Sequence, residues 1–265
     1  MIYLGDPFER IWEGKNVFDE IRRLNGVVYR NVLTRKTINF KVEGESFYLK
    51  VHQGTTIFEI LKNLLQFKFP VLGAKCEYLA IKKLHSLNIN TMTVAAFGEA
   101  GLNPLRKISF IITKDLNPAI SLEDYCAKWK TNPPSYEEKK SIICALGKMV
   151  RDMHAGGVNH RDCYLCHFLL HLPFVVDDKP ILSVIDLHRA QIRKRVPKRW
   201  RDKDLAALYY SSLNLGLSSK DYWRFLKIYL NLEHVRLIVK SESDFLDKVI
   251  KKAEKIAERT LRKGL

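Results

Sequence analysis

The chain has 265 residues, 46% hydrophobic and 11% aromatic, and its 45 Lys and Arg against 29 Asp and Glu leave a formal net charge of +16. That apolar content excludes a disordered tail or a low-complexity fibre, and the length suits one large domain or two lobes, of which two are expected. No run approaches the ~20 apolar residues of a spanning helix, and the first residues carry Asp6, Glu9 and Arg10 instead of a secretory signal, so a cytoplasmic protein is expected.

Five cysteines (Cys76, Cys126, Cys144, Cys163, Cys166) are an odd, scattered set and read as reduced thiols, with no disulfides expected. The positive charge is concentrated. Residues 189–203 hold eight basic side chains against Asp202, a local +7, and residues 247–265 add +4. Such clusters attract polyanions: nucleic acid, anionic lipid, phosphorylated glycans or acidic protein.

In chain order, residues 27–33, 37–42 and 46–51 are short β-rich runs, the last two joined by Glu43-Gly44-Glu45, and they predict an antiparallel meander. In the third run Phe47, Leu49 and Val51 share one face, so Lys50 projects from the other. Residues 74–87 have helical spacing, with Ala74, Glu77, Ile81 and Leu84 on one stripe. A carboxylate on that stripe is costly unless a cation meets it.

Strand-like runs at 91–97 and 108–113 follow, and the lobe boundary is placed at 113–118. Ser121 with Asp124, and Ser135 with Glu138, carry capping-box spacing. The second of these helices carries Ile143, Leu146, Val150 and Met153 and ends at Gly156-Gly157. A polar loop from Val158 to Cys166, β-rich runs at 168–172 and 181–185, and helical patterns to the end complete the reading.

The strongest chemical signal is His160-Arg161-Asp162, followed beyond an apolar run by Val184-Ile185-Asp186. Phosphoryl transfer needs one carboxylate to orient the attacking hydroxyl and take its proton, and another to hold Mg²⁺. A strand lysine and a helix glutamate, Lys50 and Glu77, stand upstream in the order that chemistry uses. Singly, each has a plainer reading: a surface lysine, a glutamate paired with a nearby lysine, a capping-loop acid, a turn acid. The ordered set of four favours a site.

Cys163-Tyr164-Leu165-Cys166-His167 also spells C-x-x-C-H, the c-type haem attachment pattern, and His160 and His171 could be offered to zinc. Reduced thiols packed beneath the loop are the expectation, with Mg²⁺ the one metal.

The motifs NHRDCYLCHFLLHLPF (159–174), SVIDLHRAQIRKRVPKRWRDKDL (183–205), SFIITKDL (109–116) and NPLR (103–106) resemble the bacterial lipopolysaccharide core heptose(I) kinases, within the protein-kinase-like superfamily. The resemblance extends over the whole chain. It implies an α+β, protein-kinase-like bilobal fold, with a β-rich N-lobe (1–115) bearing one long helix and a mostly α-helical C-lobe (116–265). It implies transfer of the ATP γ-phosphate to O-4 of the first heptose of the inner core.

By the same resemblance Asp162 is the catalytic base, Lys50 the α/β-phosphate lysine, Glu77 its partner and Asp186 the Mg²⁺ ligand, with His160 and Arg161 holding the loop. Residues 112–116, including Thr113 and Asp115, would be the hinge that meets adenine through its backbone. No G-x-G-x-x-G joins the first two strands, where Arg30, Thr34, Arg35, Lys36 and Thr37 stand, and Arg35 and Lys36 are expected to cover the phosphates instead. His167 replaces the asparagine expected at a second metal and is a poorer match for Mg²⁺. Leu187-His188 replaces Phe-Gly and no A-P-E follows, so no regulated activation loop is expected.

Arg189, Arg193, Arg195, Lys198, Arg199 and Arg201 are the expected contacts for the anionic acceptor, against the plainer reading of a solvated charged loop. Phe245, Val249, Ala253, Ile256 and Leu261 alternate with lysines, either as a helix lying on the anionic inner-membrane surface or as an ordinary lobe helix. The resemblance also implies an acyl carrier protein partner. The competing functions are a kinase acting on protein or another small molecule and a non-enzymatic polyanion binder. Nucleic acid is not an expected partner, because no aromatic RNA-binding motif or zinc-finger spacing accompanies the charge.

Overall fold

The computed structural model describes residues 1–32, 34–54, 73–101, 103, 105–176 and 178–262, with the backbone alone at 237 and 239–241. They divide into two compact units, Met1–Lys82 with Met92–Leu116, and Lys83–Thr91 with Asn117–Leu265.

The first unit is built on an antiparallel sheet of β1 (Ile2–Leu4), β2 (Val27–Val32), β3 (Arg35–Val42), β4 (Glu45–Gln53), β5 (Val94–Ala100) and β6 (Ile108–Lys114), in the order β1-β5-β6-β4-β3-β2. The expected meander is β2-β3-β4; Leu33 lies outside the described residues. Alternation along β4 sends Phe47, Leu49 and Val51 to one face, where they meet Ile38 and Phe40 of β3 and Phe110 and Ile112 of β6.

That face is covered by α1 (Phe8–Ile11) and α2 (Val17–Arg23) through Phe8, Trp12, Val17 and Ile21. Neither helix was expected from the sequence, although α2 carries legible signals. Asn16 Oδ1 accepts the Phe18 N–H at 3.0 Å, and acids in the first turn and arginines in the last suit the helix dipole.

The opposite face takes α3 (Lys75–Ser86). Tyr78 stacks on Phe97 of β5 with ring centroids 4.2 Å apart, and the Ala74 N–H donates to Ser109 Oγ of β6 at 3.0 Å. Two strands depart from expectation. β3 begins at Arg35, and β5 runs 94–100 in place of 91–97, because Thr91 belongs to the second unit, where its hydroxyl donates to Val184 O.

The second unit holds β7 (Ala119–Ser121), α4 (Leu122–Cys126), α5 (Tyr136–Ala155), β8 (Val158–Asn159), β9 (Phe168–His171), β10 (Leu182–Val184), β11 (Gln191–Ile192), α6 (Lys198–Ser212), α7 (Ser219–Leu230) and α8 (Val235–Leu261). Both predicted caps form: Ser121 Oγ accepts the Asp124 N–H and Ser135 Oγ accepts the Glu138 N–H. β9 and β10 pair as an antiparallel hairpin, with β7 as a third strand beside β9 that the sequence did not announce. β8 pairs with β11, which fixes both ends of the segment carrying the two candidate acids. Leucine, isoleucine and tryptophan side chains of α4, α5, α6, α7 and α8 surround an apolar cavity of about 370 Å³.

Candidate active site

Strand register decides what Lys50 meets. On β4 it pairs with Thr37 of β3 and Ile111 of β6, on the face that α3 covers. Glu77, wholly buried, accepts from Lys50 Nζ at 2.7 Å. The carboxylate on the apolar helix stripe therefore finds its cation.

The two basic residues expected beside this lysine part company. Arg35 pairs with His52 and shares the Lys50 face. Lys36 pairs with Val51, so it projects from the opposite face, a correction that follows from β3 starting two residues early and from period-two alternation. In the expected hinge, the Lys114 N–H donates to Thr93 O and the Asp115 N–H to Ser46 O, both at 2.9 Å. The Thr113 side chain is buried. The Asp115 amide is thus engaged within its own unit, and Asp115 Oδ2 accepts from Ser46 Oγ.

In the second unit the loop after β8 is anchored by a carboxylate that the sequence reading missed. Asp204 of α6, wholly buried, accepts the backbone N–H of His160 at 2.6 Å and of Arg161 at 2.8 Å. Arg161 holds φ +74° there, a left-handed conformation that side chains other than glycine adopt only when held. His154 Nε2 donates to Asp204 Oδ2 at 3.3 Å, since a carboxylate can only accept, and His154 Nδ1 hydrogen-bonds Tyr229 Oη at 2.8 Å. Asp204 shares a helix face with Ala207 and Leu208, both buried. The argument that singled out Glu77 applies equally to it.

One imidazole touches both candidate acids. His167 Nδ1 donates to Asp162 O at 2.7 Å, and its Nε2 lies 3.7 Å from Asp186 Oδ2. His188 Nδ1 donates to Asp186 Oδ1 at 2.8 Å, and Asp186 itself sits at φ +56°. His160 donates from Nε2 to Ile185 O and stacks on His167 with centroids 5.3 Å apart. Burial lowers the His160 pKa, which keeps the ring neutral. The Asp186 carboxylate suits Mg²⁺, which takes one or two carboxylates and completes its shell with phosphate oxygens and water, while the His167 nitrogen beside it is a poorer match for that ion.

Asp162 is held by Arg189, whose Nη1 donates to Oδ1 at 2.7 Å and Oδ2 at 3.0 Å. Arg189, expected as an acceptor contact, thus lies on the candidate base itself. Of the other five, Arg193 bonds Asn159 and Gln191, and Arg201 bonds buried Asp202 and covers the Phe245 ring at 4.1 Å. Arg195, Lys198 and Arg199 are exposed. The two thiols of the C-x-x-C-H pattern are held protonated by their surroundings. Burial raises Cys163 well above the ordinary thiol range and pushes Cys166 up to about 11. Among the described residues no group of three or more His, Cys, Asp or Glu is placed to hold a metal.

Residues 19–229 match the family described as "Lipopolysaccharide kinase (Kdo/WaaP) family". The chain is 54% identical over 266 residues to the lipopolysaccharide core heptose(I) kinase WaaP of Escherichia coli, covering 100% of both chains. It is 46% identical over 269 residues to the protein of the same name from Pseudomonas aeruginosa, covering 99% of this chain and 98% of the relative. A solved structure titled "WaaP in complex with acyl carrier protein" superposes with a TM-score of 0.84 at 43% identity, covering 96% of this chain and 98% of that one. The BubR1 kinase domain superposes with a TM-score of 0.51 at 14% identity over 86% of this chain and 83% of that one, a likeness of fold alone.

Proposed function

Because the chain belongs to the lipopolysaccharide kinase (Kdo/WaaP) family and has an α+β, protein-kinase-like fold, we propose that it transfers the γ-phosphate of ATP to O-4 of the first heptose of the lipopolysaccharide inner core. The observation that carries the reading is His167, which bonds the backbone of Asp162 and faces the carboxylate of Asp186. A base and a metal ligand are thereby held in fixed relation within the second unit.

In this mechanism Lys50, steadied by Glu77, grips the nucleotide phosphates. Asp186, with His167 beside it, would hold Mg²⁺, which when bound would neutralise charge developing on the phosphates. Asp162 accepts the proton of the attacking heptose hydroxyl, and the acceptor takes one of the two oxygens that Arg189 now covers. Asp204 and His160 hold the loop in the conformation this requires.

The lipopolysaccharide inner core is the proposed acceptor, and an acyl carrier protein the proposed partner, as for the relative whose structure bears that title. The apolar cavity of about 370 Å³ has the size and lining of a site for an apolar chain, in keeping with such a partner. The apolar residues Phe245, Val249 and Ala253 of α8 are buried within the second unit. Contact with an anionic membrane surface is therefore proposed through the basic side chains alone. No helix among the described residues is long and apolar enough to cross a membrane.

The test is transfer of radiolabelled phosphate from ATP with Mg²⁺ to core lipopolysaccharide lacking the heptose phosphate, with the product position read by NMR. Asp162→Asn should retain the fold and lose at least about 10²-fold in kcat. Undiminished transfer removes Asp162 as the base, label on a position other than O-4 corrects the acceptor atom, and label on protein alone favours a protein kinase.

A further inference from the structure

Trp200, in the first turn of α6, is surrounded by four cations. The guanidinium carbons of Arg199, Arg161 and Arg193 lie 4.8, 5.1 and 5.9 Å from its ring centroid, and Lys203 Nζ lies at 5.8 Å. An indole face attracts one cation, but four like charges around one ring repel each other. Among the described residues none of the four forms an ion pair with a carboxylate. Arg193 is held by the neutral oxygens of Asn159 and Gln191, at 2.7 and 2.8 Å, which position it without neutralising it.

Two further observations point the same way. Arg161 is only 6% exposed, and its Nε has no hydrogen-bond partner, a costly state for a buried donor. Burial lowers the pKa of both Arg161 and Lys203, and the nearby Arg189 charge lowers both further, while the Asp162 and Asp204 carboxylates offset this only in part. The start of α6 is also anomalous. Pro197 provides no side-chain cap and the first turn has no acid, while Lys198 and Arg199 stand at the end where the helix dipole disfavours cations. Helix amides bond back to Pro197 O only from Trp200 and Arg201 onward, so those of Lys198 and Arg199 precede the ladder.

An uncapped helix start, a buried arginine with an unmet donor and four unpaired cations are each unfavourable alone, and one multiply charged anion relieves all three. We propose that Arg161, Arg193, Arg199 and Lys203, with Trp200 and the N-terminus of α6, form a binding site for a phosphate monoester. This chemistry is available from phosphates carried by the lipid acceptor or from free phosphate. The site stands on its own geometry, and the kinase reading enters only in naming the acceptor as a source.

The experiment titrates the full chain with inorganic phosphate, with chloride balancing ionic strength, and reads tryptophan fluorescence and Tm. The parent chain should respond saturably. Arg199→Gln and Lys203→Gln, shown folded by circular dichroism, should each bind about ten-fold more weakly. Trp200→Phe should lose the fluorescence change and keep the rise in Tm. Equal phosphate affinity in the parent and both Gln variants, or an equal response to chloride, overturns the site.

Asp162→Asn separates the two readings, since it should lose transfer and keep the phosphate response. Transfer kinetics with acceptors bearing or stripped of their lipid-borne phosphates then identify the source. A KM that rises on stripping in the parent chain, but not in Arg199→Gln, assigns the ligand to the acceptor, and an unchanged KM assigns it to free phosphate.

Discussion

Replacing Asp204 by Ala should cost about 3 kcal/mol in urea unfolding, because two buried backbone N–H groups lose their acceptor. Transfer should fall with it, since Asp204 accepts the amide of Arg161, which sits at φ +74°. A wild-type unfolding curve for that variant would show the loop to be held by its neighbours instead. Lys50 and Glu77 give a contrasting pair. Lys50→Met leaves the wholly buried Glu77 without its cation, and about 3 kcal/mol is the expected loss. Glu77→Gln keeps the shape and leaves a lysine that is 14% exposed and can reach water, so about 1 kcal/mol is expected. Calorimetry of the two variants side by side reads that asymmetry directly.

Among the elements, α7 shows how a helix start couples to pH. Asp221 is buried, which alone would raise its pKa. Hydrogen bonds from the Ser218 side chain and backbone, with the charge of Lys139 and a bond from Arg224, more than offset this and hold it below its ordinary value. A carboxylate whose folded pKa is depressed stabilises the fold above its unfolded pKa of about 3.9, and that contribution is lost as pH falls toward the folded value. Asp221→Asn should therefore be less stable than the parent at pH 6, with the gap closing near pH 3. Urea midpoints at the two pH values measure it, and a gap constant with pH would mean that the charge contributes nothing.

α8 carries a different lesson. Its alternation of lysine with Phe245, Val249 and Ala253 is equally the pattern of a membrane-surface helix and of a lobe helix. Burial of those three residues makes that stretch a lobe helix, while Ile256 is half-buried and Leu261 exposed.

For the molecule as a whole, the +16 charge predicts salt dependence. With a Debye length of about 10 Å at 0.1 M salt, the KM for a polyanionic acceptor should rise several-fold between about 50 and 300 mM salt while kcat holds. An insensitive KM would place the basic segment outside acceptor binding. The segment 189–203 is not uniform, however. Arg189 lies on Asp162, Arg201 turns inward to Asp202 and Phe245, and Arg193 and Arg199 flank Trp200. A local charge of +7 in the sequence is thus several separate pieces of chemistry.

Much was legible from local pattern, because strand alternation, helical spacing and caps are properties of neighbours in the chain. The side of the sheet from which Lys50 projects, the buried stripe of Glu77, the caps at Ser121 and Ser135 and the order of the four candidate residues all follow from spacings of a few residues. Contacts between residues far apart in sequence were decided only by tertiary packing. Asp204 meets the His160 amide across 44 positions and Arg189 meets Asp162 across 27, separations over which no periodicity operates. Lys36 and β5 show the same limit at short range, since only pairing with neighbouring strands fixes where a strand begins and which face each of its residues takes. The sequence determined which chemical groups this protein has and in what order, and the packing of α6 and the β8–β11 pair decided which of them touch.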